Sequence, residues 1–216
     1  MTLQLRVYVP PHPLIRHWLG IARDRNTPTP LFRSAMTEMG RWLTYEAIRD
    51  WLPTIDTKIQ TPLAECDATF VNASIPMLVV PILRAGLSLL DGAQAVMPSA
   101  KIYHLGLVRN EETLQPSFYL NKLPASLDSQ SHVLILDPML ATGGTLMAAL
   151  AELVKRGIDP ALIRVVSVVS APPALQKLGA DYPALTVYTG MIDESLNDQG
   201  FIVPGLGDAG DRAFGT

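Results

Sequence analysis

The sequence predicts an α/β protein with a central, mostly parallel sheet flanked by helices. Two observations predict this class. Short apolar runs, such as residues 77–80 and 133–136, alternate along the chain with segments of helical periodicity. These runs lack polar alternation, which is typical of parallel strands covered on both faces. The length of 216 residues suits one domain, which we expect to span residues 1–216 and to bury a substantial core.

The composition argues against several classes of protein. The formal net charge is −3 and no dense cluster of Lys and Arg occurs, so a nucleic-acid partner is not expected. No apolar run approaches the roughly 18 residues of a membrane span, and no secretory signal is visible in residues 1–11. Cys66 is the single cysteine, so no intrachain disulfide is possible, and we expect it to be a small buried apolar residue. The simplest interpretation is a soluble cytoplasmic protein without a membrane partner.

The N-terminal part predicts two helices over about residues 12–52. The second and longer helix runs from Pro30 to about Trp51 because its apolar residues recur at helical spacing. Thr29 is the expected N-terminal cap, Pro30 suits the first turn, and Pro53 stops the helix.

The remainder of the chain predicts strands that alternate with helices. Residues 109–124 are polar and rich in turn formers, which favours a hairpin or a mobile β-arm. The expected strands are residues 77–80, 101–108, 133–136, 163–169 and 185–188, and the expected helices follow the first, third and fourth of them.

Three charged residues stand at the carboxyl ends of predicted strands. Arg84 follows the first of these strands, Arg109 follows the second, and Asp137 follows the third. Ligands of parallel sheets bind at the edge where the carboxyl ends of the strands meet. These three side chains are therefore the first candidates for catalysis and binding.

The loop that joins a strand to a helix at residues 137–145 has the composition of a phosphate site. A loop that runs into a helix N-terminus offers converging N–H donors and the positive end of the helix dipole. Glycines allow close approach of a phosphate, hydroxyls add donors, and Asp137 can accept from ribose hydroxyls or face a cation carried on the sugar. An ordinary tight turn is the alternative. The loop consists of Asp137, Pro138, Met139, Leu140, Ala141, Thr142, Gly143, Gly144 and Thr145.

Residues 137–145 resemble the phosphoribosyl pyrophosphate (PRPP) loop of type I phosphoribosyltransferases, in the form found in the uracil phosphoribosyltransferase family. The loop begins with only one acid, Asp137, which follows Leu136, as is usual in that branch. Residues 80–86 resemble the family's pyrophosphate-binding turn, 109–124 its active-site arm, and 200–216 its uracil-binding tail. The resemblance extends in order over nearly the whole chain.

The resemblance implies the type I phosphoribosyltransferase fold, with N-terminal helices, a β-arm and a C-terminal uracil-binding hood over about residues 190–216. It implies transfer of the phosphoribosyl group of PRPP to uracil, which yields UMP and pyrophosphate. Arg84, Arg109, the 137–145 loop and Asp208 would bind PRPP, while Asp137, Arg84 and Arg109 would be catalytic. The expected uracil-binding residues are Ile202, Gly207, Asp208 and Ala209.

The resemblance also implies partners and a cofactor. Mg²⁺ would arrive bound to PRPP, with Asp208 nearby and no dedicated protein site. Family members form homodimers or higher assemblies, and GTP activates some of them. The long N-terminal helix with Trp42 and Trp51 is the expected interface.

Several alternatives remain open from the sequence. Arg84 could form a surface ion pair with a neighbouring helix, and the glycine-rich tail could be a frayed terminus. Residues 170–174 depart from the family's usual Ala-Ala-Pro-Glu-Gly, which puts the conformation of one loop in doubt. The alternative function is a weak or silent uracil- or UMP-binding regulator of the same fold.

Overall fold

The structure is a computed structural model that describes residues 4–109 and 116–216, with only the backbone described for Arg109. A short 3₁₀ helix, Pro160–Leu162, precedes the tenth strand. The helices are α1 Pro13–Arg23, α2 Thr29–Ile48, α3 Leu87–Val96, α4 Gly144–Lys155, α5 Pro172–Asp181 and α6 Ala209–Phe214. The strands are β1 Arg6–Tyr8, β2 Thr54–Gln60, β3 Glu65–Val71, β4 Met77–Leu83, β5 Lys101–Ile102, β6 Leu105–Arg109, β7 Pro116–Asn121, β8 His132–Leu136, β9 Met139–Leu140, β10 Ile163–Ser170, β11 Thr186–Ile192, β12 Ser195–Leu196 and β13 Ile202–Val203.

The central sheet is mostly parallel. Its main path runs β1-β11-β10-β8-β4-β6-β7, and the short strands β5 and β9 pair with β4 and β10. Every pairing is parallel except that of β6 with β7, which is antiparallel. The expected α/β class with a mainly parallel sheet is confirmed.

Two apolar clusters cover the two faces of the sheet. On one face, α1, α2 and α3 pack on side chains such as Leu134 and Val166. On the other face, α4 and α5 pack on neighbours such as Ile135 and Val165. All eight residues of β10 are buried, which explains why its apolar residues occur on both faces of the strand rather than in alternation with exposed polar ones.

The long N-terminal helix differs from its prediction at both ends. Pro28 precedes the first helical residue and no side chain caps the helix, so the expected cap at Thr29 is wrong. The helix ends at Ile48 rather than near Trp51. Trp51 itself is only 9% exposed, packed in the core, so it is not available for the expected interface.

A two-stranded hairpin, β2–β3, occupies a polar stretch for which no structure was predicted. Every residue of β2 and six of the seven in β3 are exposed. One face carries Ile55 opposite Phe70 and Ile59 opposite Cys66. Cys66 is exposed, so the expectation of a buried cysteine is wrong. Cys66 does lie opposite an apolar residue, Ile59, but the hairpin does not pack into the core.

The predicted arm is partly described. β6 and β7 form an antiparallel pair with a register shift at Gly106–Leu107, as expected of a hairpin. Residues 110–115, including Glu111 and Glu112, lie outside the described residues. Among the residues that are described, no helix has both the length and the apolar character required to cross a bilayer.

Candidate active site

A cleft of about 340 Å³ opens at the carboxyl ends of β4 and β8. It lies where parallel-sheet proteins bind their ligands. The turn after β4, the loop before α4 and the start of α6 contribute its walls. The site residues predicted from the sequence that line this cleft are Arg84, Asp137, Met139, Leu140, Ala141, Thr142, Gly143, Gly144, Thr145 and Asp208.

The first half of the 137–145 loop is held on the sheet. Pro138 is buried, and its carbonyl oxygen accepts from the backbone of Val168 at 2.9 Å and from the hydroxyl of Ser167 at 3.1 Å. Met139 and Leu140 then form β9 against the end of β10. Pro138 thus lies beneath the cleft and anchors the loop rather than lining it.

The second half of the loop begins α4 without a side-chain cap. Gly143 is the N-cap residue and has a φ of +78°, a region that favours glycine. The first helical hydrogen bond runs from the Met147 N–H to the Gly143 carbonyl at 2.9 Å. The preceding amides at the helix N-terminus have no partner within the helix and lie at the wall of the cleft. This arrangement suits a phosphate group.

Residues 170–174, which differ from the family's usual sequence, pack behind this loop. Ala174 is buried, and its Cα would lie 3.2 Å from a Cβ built on Gly143. The hydroxyl of Ser170 bonds that of Thr189 at 3.0 Å, away from the cleft. Both residues are therefore accommodated without disrupting β9 or the start of α4.

Asp137 lies at the base of the cleft. Its N–H continues the strand pairing by donating to the Val166 carbonyl at 3.1 Å. Desolvation raises the pKa of the Asp137 carboxyl to about 7, against the opposing effect of a hydrogen bond from the Met139 backbone. A carboxyl group in such an environment can exchange a proton or accept from a ligand hydroxyl near neutral pH.

The turn that carries Arg84 fits closely against the end of β8. A Cβ on Gly86 would lie 2.4 Å from the carbonyl oxygen of Leu136 and 2.6 Å from the backbone nitrogen of Ile82. Only glycine permits this approach. The peptide bond between Leu83 and Arg84 is cis.

The Arg84 side chain crosses to the C-terminal segment. Its Nη2 donates to Oδ1 of Asp211 at 3.0 Å, and its Nη1 donates to the hydroxyl of Thr216 at 3.3 Å. The alternative of an ion pair with a neighbouring helix therefore describes this structure, because Asp211 belongs to α6. The role of Arg84 in pyrophosphate binding stays a prediction, as does that of Arg109, whose side chain is not described.

The C-terminal segment is folded rather than frayed. Asp208 caps α6, with its Oδ1 accepting from the Asp211 N–H at 2.9 Å, and it lines the cleft. Ile202 and Ala209 are buried, and Gly207 is exposed with a φ of +76°. These three predicted uracil-binding residues do not line the cleft itself, although Gly207 and Ala209 are sequence neighbours of the cleft residues Asp208 and Gly210.

The sequence prediction missed three charged residues that hold the C-terminal segment. Asp193 bonds Arg23 and the Gly205 N–H. Arg212 donates to the carbonyl oxygens of Leu206 and Asp24 at 2.7 and 2.6 Å, and its guanidinium lies 4.2 Å from the Phe32 ring centroid. The charged residues Asp208, Asp211 and Arg212 in this glycine-rich tail were a sign that the segment is ordered. They did not identify the residues elsewhere in the chain that bind it.

Comparison with known proteins assigns the family. A family model described as uracil phosphoribosyltransferase matches residues 9–216. A uracil phosphoribosyltransferase of Nostoc sp. is 70% identical over the whole of both chains, and one of Nicotiana tabacum is 55% identical over 99% of this chain and 95% of its own. The solved AQ2163 protein of Aquifex aeolicus is 40% identical, covers 96% of this chain and 97% of its own, and superposes with a TM-score of 0.87. The chain therefore belongs to the uracil phosphoribosyltransferase family.

Proposed function

We propose that the chain transfers the 5-phosphoribosyl group of PRPP to N1 of uracil, giving UMP and pyrophosphate. The observation that carries the proposal is a single cleft lined by the uncapped start of α4, Asp137, Arg84 and Asp208. A phosphate site, a carboxylate and a guanidinium are the groups that a sugar diphosphate donor requires. Family membership supports the same reaction.

The 5′-phosphate of the donor would bind the amides and hydroxyls of residues 142–145. The positive end of the α4 dipole favours an anion there. Arg84 would bind pyrophosphate oxygens, for which its planar guanidinium offers paired donors. Arg109, at the end of the neighbouring strand β6, would also bind the pyrophosphate; that role rests on the family resemblance. Asp137 would accept from a ribose hydroxyl.

Uracil would be recognised by the backbone of Ile202, Gly207 and Ala209. In the described part of the chain, neither the N–H nor the carbonyl of Gly207 takes part in a hydrogen bond, so both are free to pair with a base. Uracil presents two carbonyl acceptors and one N–H donor, whereas cytosine would leave polar groups unpaired at the same edge. Such mismatches discriminate strongly between ligands.

The reaction would be a displacement at ribose C1 with inversion of configuration. The bond from C1 to the pyrophosphate oxygen breaks as the bond from N1 of uracil forms, and N1 loses its proton. The protein would hold base and donor in line and stabilise the charge on the departing group. Arg84 and Arg109 would supply that stabilisation, and no covalent enzyme intermediate is required.

The carboxylates of the cleft fit a Mg²⁺ ion that is carried on the donor. Mg²⁺ prefers oxygen donors and binds through one or two carboxylates together with substrate phosphates. Asp208 lines the cleft and its Oδ2 has no hydrogen bond within the described residues, so it would lie beside the ion. When bound, the ion lowers the charge on the leaving pyrophosphate.

The proposal takes residues 1–216 as one phosphoribosyltransferase domain that assembles as a homodimer or higher oligomer. The apolar face of the β2–β3 hairpin supports assembly. A two-stranded hairpin is marginally stable alone in water, and this one exposes Ile55 at 51% and Phe70 at 49%. GTP is proposed as an effector on the family resemblance alone.

The test is an assay with purified protein, Mg²⁺ and PRPP, in which uracil, cytosine, hypoxanthine and orotate are compared with and without GTP. We expect UMP from uracil and at least about 100-fold less nucleotide from each other base. Binding of uracil or UMP without turnover would favour the silent regulator instead. Nucleotide formation from another base in preference to uracil would contradict the proposal.

A further inference from the structure

The proposed reaction does not use Asp193, although it is a buried carboxylate close to the base-binding segment. Asp193 follows β11 directly, and its side chain is 4% exposed. Its backbone N–H donates to the Ser170 carbonyl at 2.8 Å, which fixes it to the end of β10. A charge held so deeply is costly unless it is paired and hydrogen-bonded. Its partners therefore indicate its role.

Both carboxylate oxygens of Asp193 are engaged. Oδ1 accepts from Nη2 of Arg23, the last residue of α1, at 2.6 Å. Oδ2 accepts from the N–H of Gly205 at 2.9 Å. The same arginine donates from Nη1 to the Gly205 carbonyl oxygen at 3.3 Å. The ion pair therefore holds the N–H and the C=O of one glycine.

Gly205 lies in a turn of the C-terminal segment where the backbone is closely packed. It has a φ of +57°, and a Cβ at this position would lie 2.1 Å from the carbonyl oxygen of Ile202. Gly205 and the Ile202 carbonyl are therefore packed directly against each other. Gly207 is only two residues further along the chain. A displacement of Gly205 would move both ends of the turn formed by residues 202–207.

We propose that Arg23 and Asp193 position the base-reading turn at residues 202–207, so that their ion pair controls uracil affinity without contacting uracil. This inference rests on the proposed function. Backbone donors and acceptors cannot adapt by changing rotamer, so recognition through them depends on the placement of the turn. A displacement of about 1 Å can lower a rate by about 100-fold.

The first experiment is steady-state kinetics on Asp193→Asn. Asparagine keeps the size of the side chain but replaces one acceptor oxygen with a donor, which cannot satisfy both Arg23 and the Gly205 N–H. We expect the KM for uracil to rise by about tenfold or more while the KM for PRPP stays within about twofold. A merely structural role would move both constants or neither.

Arg23→Lys is the second variant, and Glu46→Gln is the matched control. Lysine keeps the charge but has a single nitrogen, which cannot donate to Asp193 and to the Gly205 carbonyl with the geometry of a guanidinium. We expect the same selective rise in the uracil KM. Glu46 accepts from Arg49 at 2.6 Å, the same distance as in the Arg23 pair, but this pair lies at the C-terminal end of α2, where Arg49 is 64% exposed. Its loss should leave both KM values unchanged.

Amide hydrogen exchange provides a readout that does not require activity. We expect peptides covering residues 201–209 to exchange faster in Asp193→Asn and Arg23→Lys than in the wild type or Glu46→Gln. A wild-type uracil KM in both variants, or equal increases in both KM values, would overturn the inference. Wild-type protein that makes no UMP overturns the proposed function instead. In that case, unchanged exchange in both variants would overturn the positioning role.

Discussion

The guanidinium of Arg84 donates to the carboxylate of Asp211 at 3.0 Å, which joins the turn after β4 to α6. Arg84 lies in the segment proposed to bind the pyrophosphate of the donor, and Asp211 lies in the segment proposed to bind uracil. Both side chains are about half exposed, so the pair contributes little to stability. Its consequence is geometric, because it directs the guanidinium across the mouth of the cleft.

Arg84→Ala should weaken donor binding much more than uracil binding. The substitution removes paired donors that the proposal assigns to the pyrophosphate oxygens. We expect the KM for PRPP to rise by about tenfold to 100-fold and that for uracil to change by less than about threefold. Arg49→Ala, which removes an exposed arginine that pairs with Glu46, is the control. Equal effects on both substrates would argue against the pyrophosphate role.

Asp137→Asn should lower kcat/KM by about 100-fold or more, the scale of losing one preorganised electrostatic group. The amide is close in size to the carboxyl, so the loop should keep its pairing with β10. Circular dichroism and the melting temperature check that the variant is folded. Near-normal kinetics in a folded variant would remove Asp137 from the mechanism.

The same variant should be more stable than the wild type at alkaline pH. Folding raises the pKa of Asp137 from 3.8 to about 7, so the folded state retains this proton more strongly than the unfolded chain. The stability contributed by this proton is complete below about pH 4 and is lost as the pH rises to about 7. Asparagine is neutral throughout, and its advantage should grow over that range to at most about 4 kcal/mol. Denaturant unfolding of both proteins at pH 5 and pH 8 measures this difference in the free energy of unfolding. A difference that shrinks with rising pH would contradict a raised pKa for Asp137.

Gly86→Ala should destabilise the fold by about 1–3 kcal/mol or more, because the new methyl group would meet the backbone of β4 and β8 rather than a flexible side chain. Gly20→Ala in α1 is the matched control, since nothing lies within 4 Å of its Cβ position. That change should stabilise the helix by about 0.5–1 kcal/mol. Chemical denaturation distinguishes the two, and equal effects would show that the turn after β4 is not tightly packed.

The hairpin proposal is tested by replacing its directly opposed apolar pair. Ile55→Thr with Phe70→Thr keeps residues that favour strands but removes apolar surface from the face. We expect wild-type protein to sediment as a dimer or larger and the double variant to shift toward monomer. Thr69→Ser, on the opposite face of the hairpin, should leave the mass unchanged. A monomeric wild type would contradict assembly, and an unchanged double variant would remove the hairpin from the interface.

The sequence predicted the central strands because burial on both faces leaves an unmistakable apolar pattern. The loop at residues 137–145 could be predicted equally well, since its hydrogen-bond donors are contiguous in sequence and its position follows from the strand before it. By contrast, β1 is three residues long, and β2–β3 pack on no core, so neither produces a strong hydrophobic pattern.

The residues that fix the C-terminal segment could not be predicted from local patterns. Arg23 and Asp193 are 170 residues apart, and each resembles an ordinary surface charge until the fold brings them together. The predicted cap of α2 was wrong, and the physical reason is different. Thr29 has the side chain of a cap residue, but the chain already enters the helix at Thr29, after Pro28.

The most direct test is a crystal structure of the protein with bound UMP. We predict that its phosphate accepts hydrogen bonds of about 3 Å from the amides at residues 143–145, while its base pairs with the backbone of residues 202–209. The proposed function depends on residues 143–145 and residues 202–209 binding the same ligand. UMP bound elsewhere, or bound with its base away from Gly207, would contradict it.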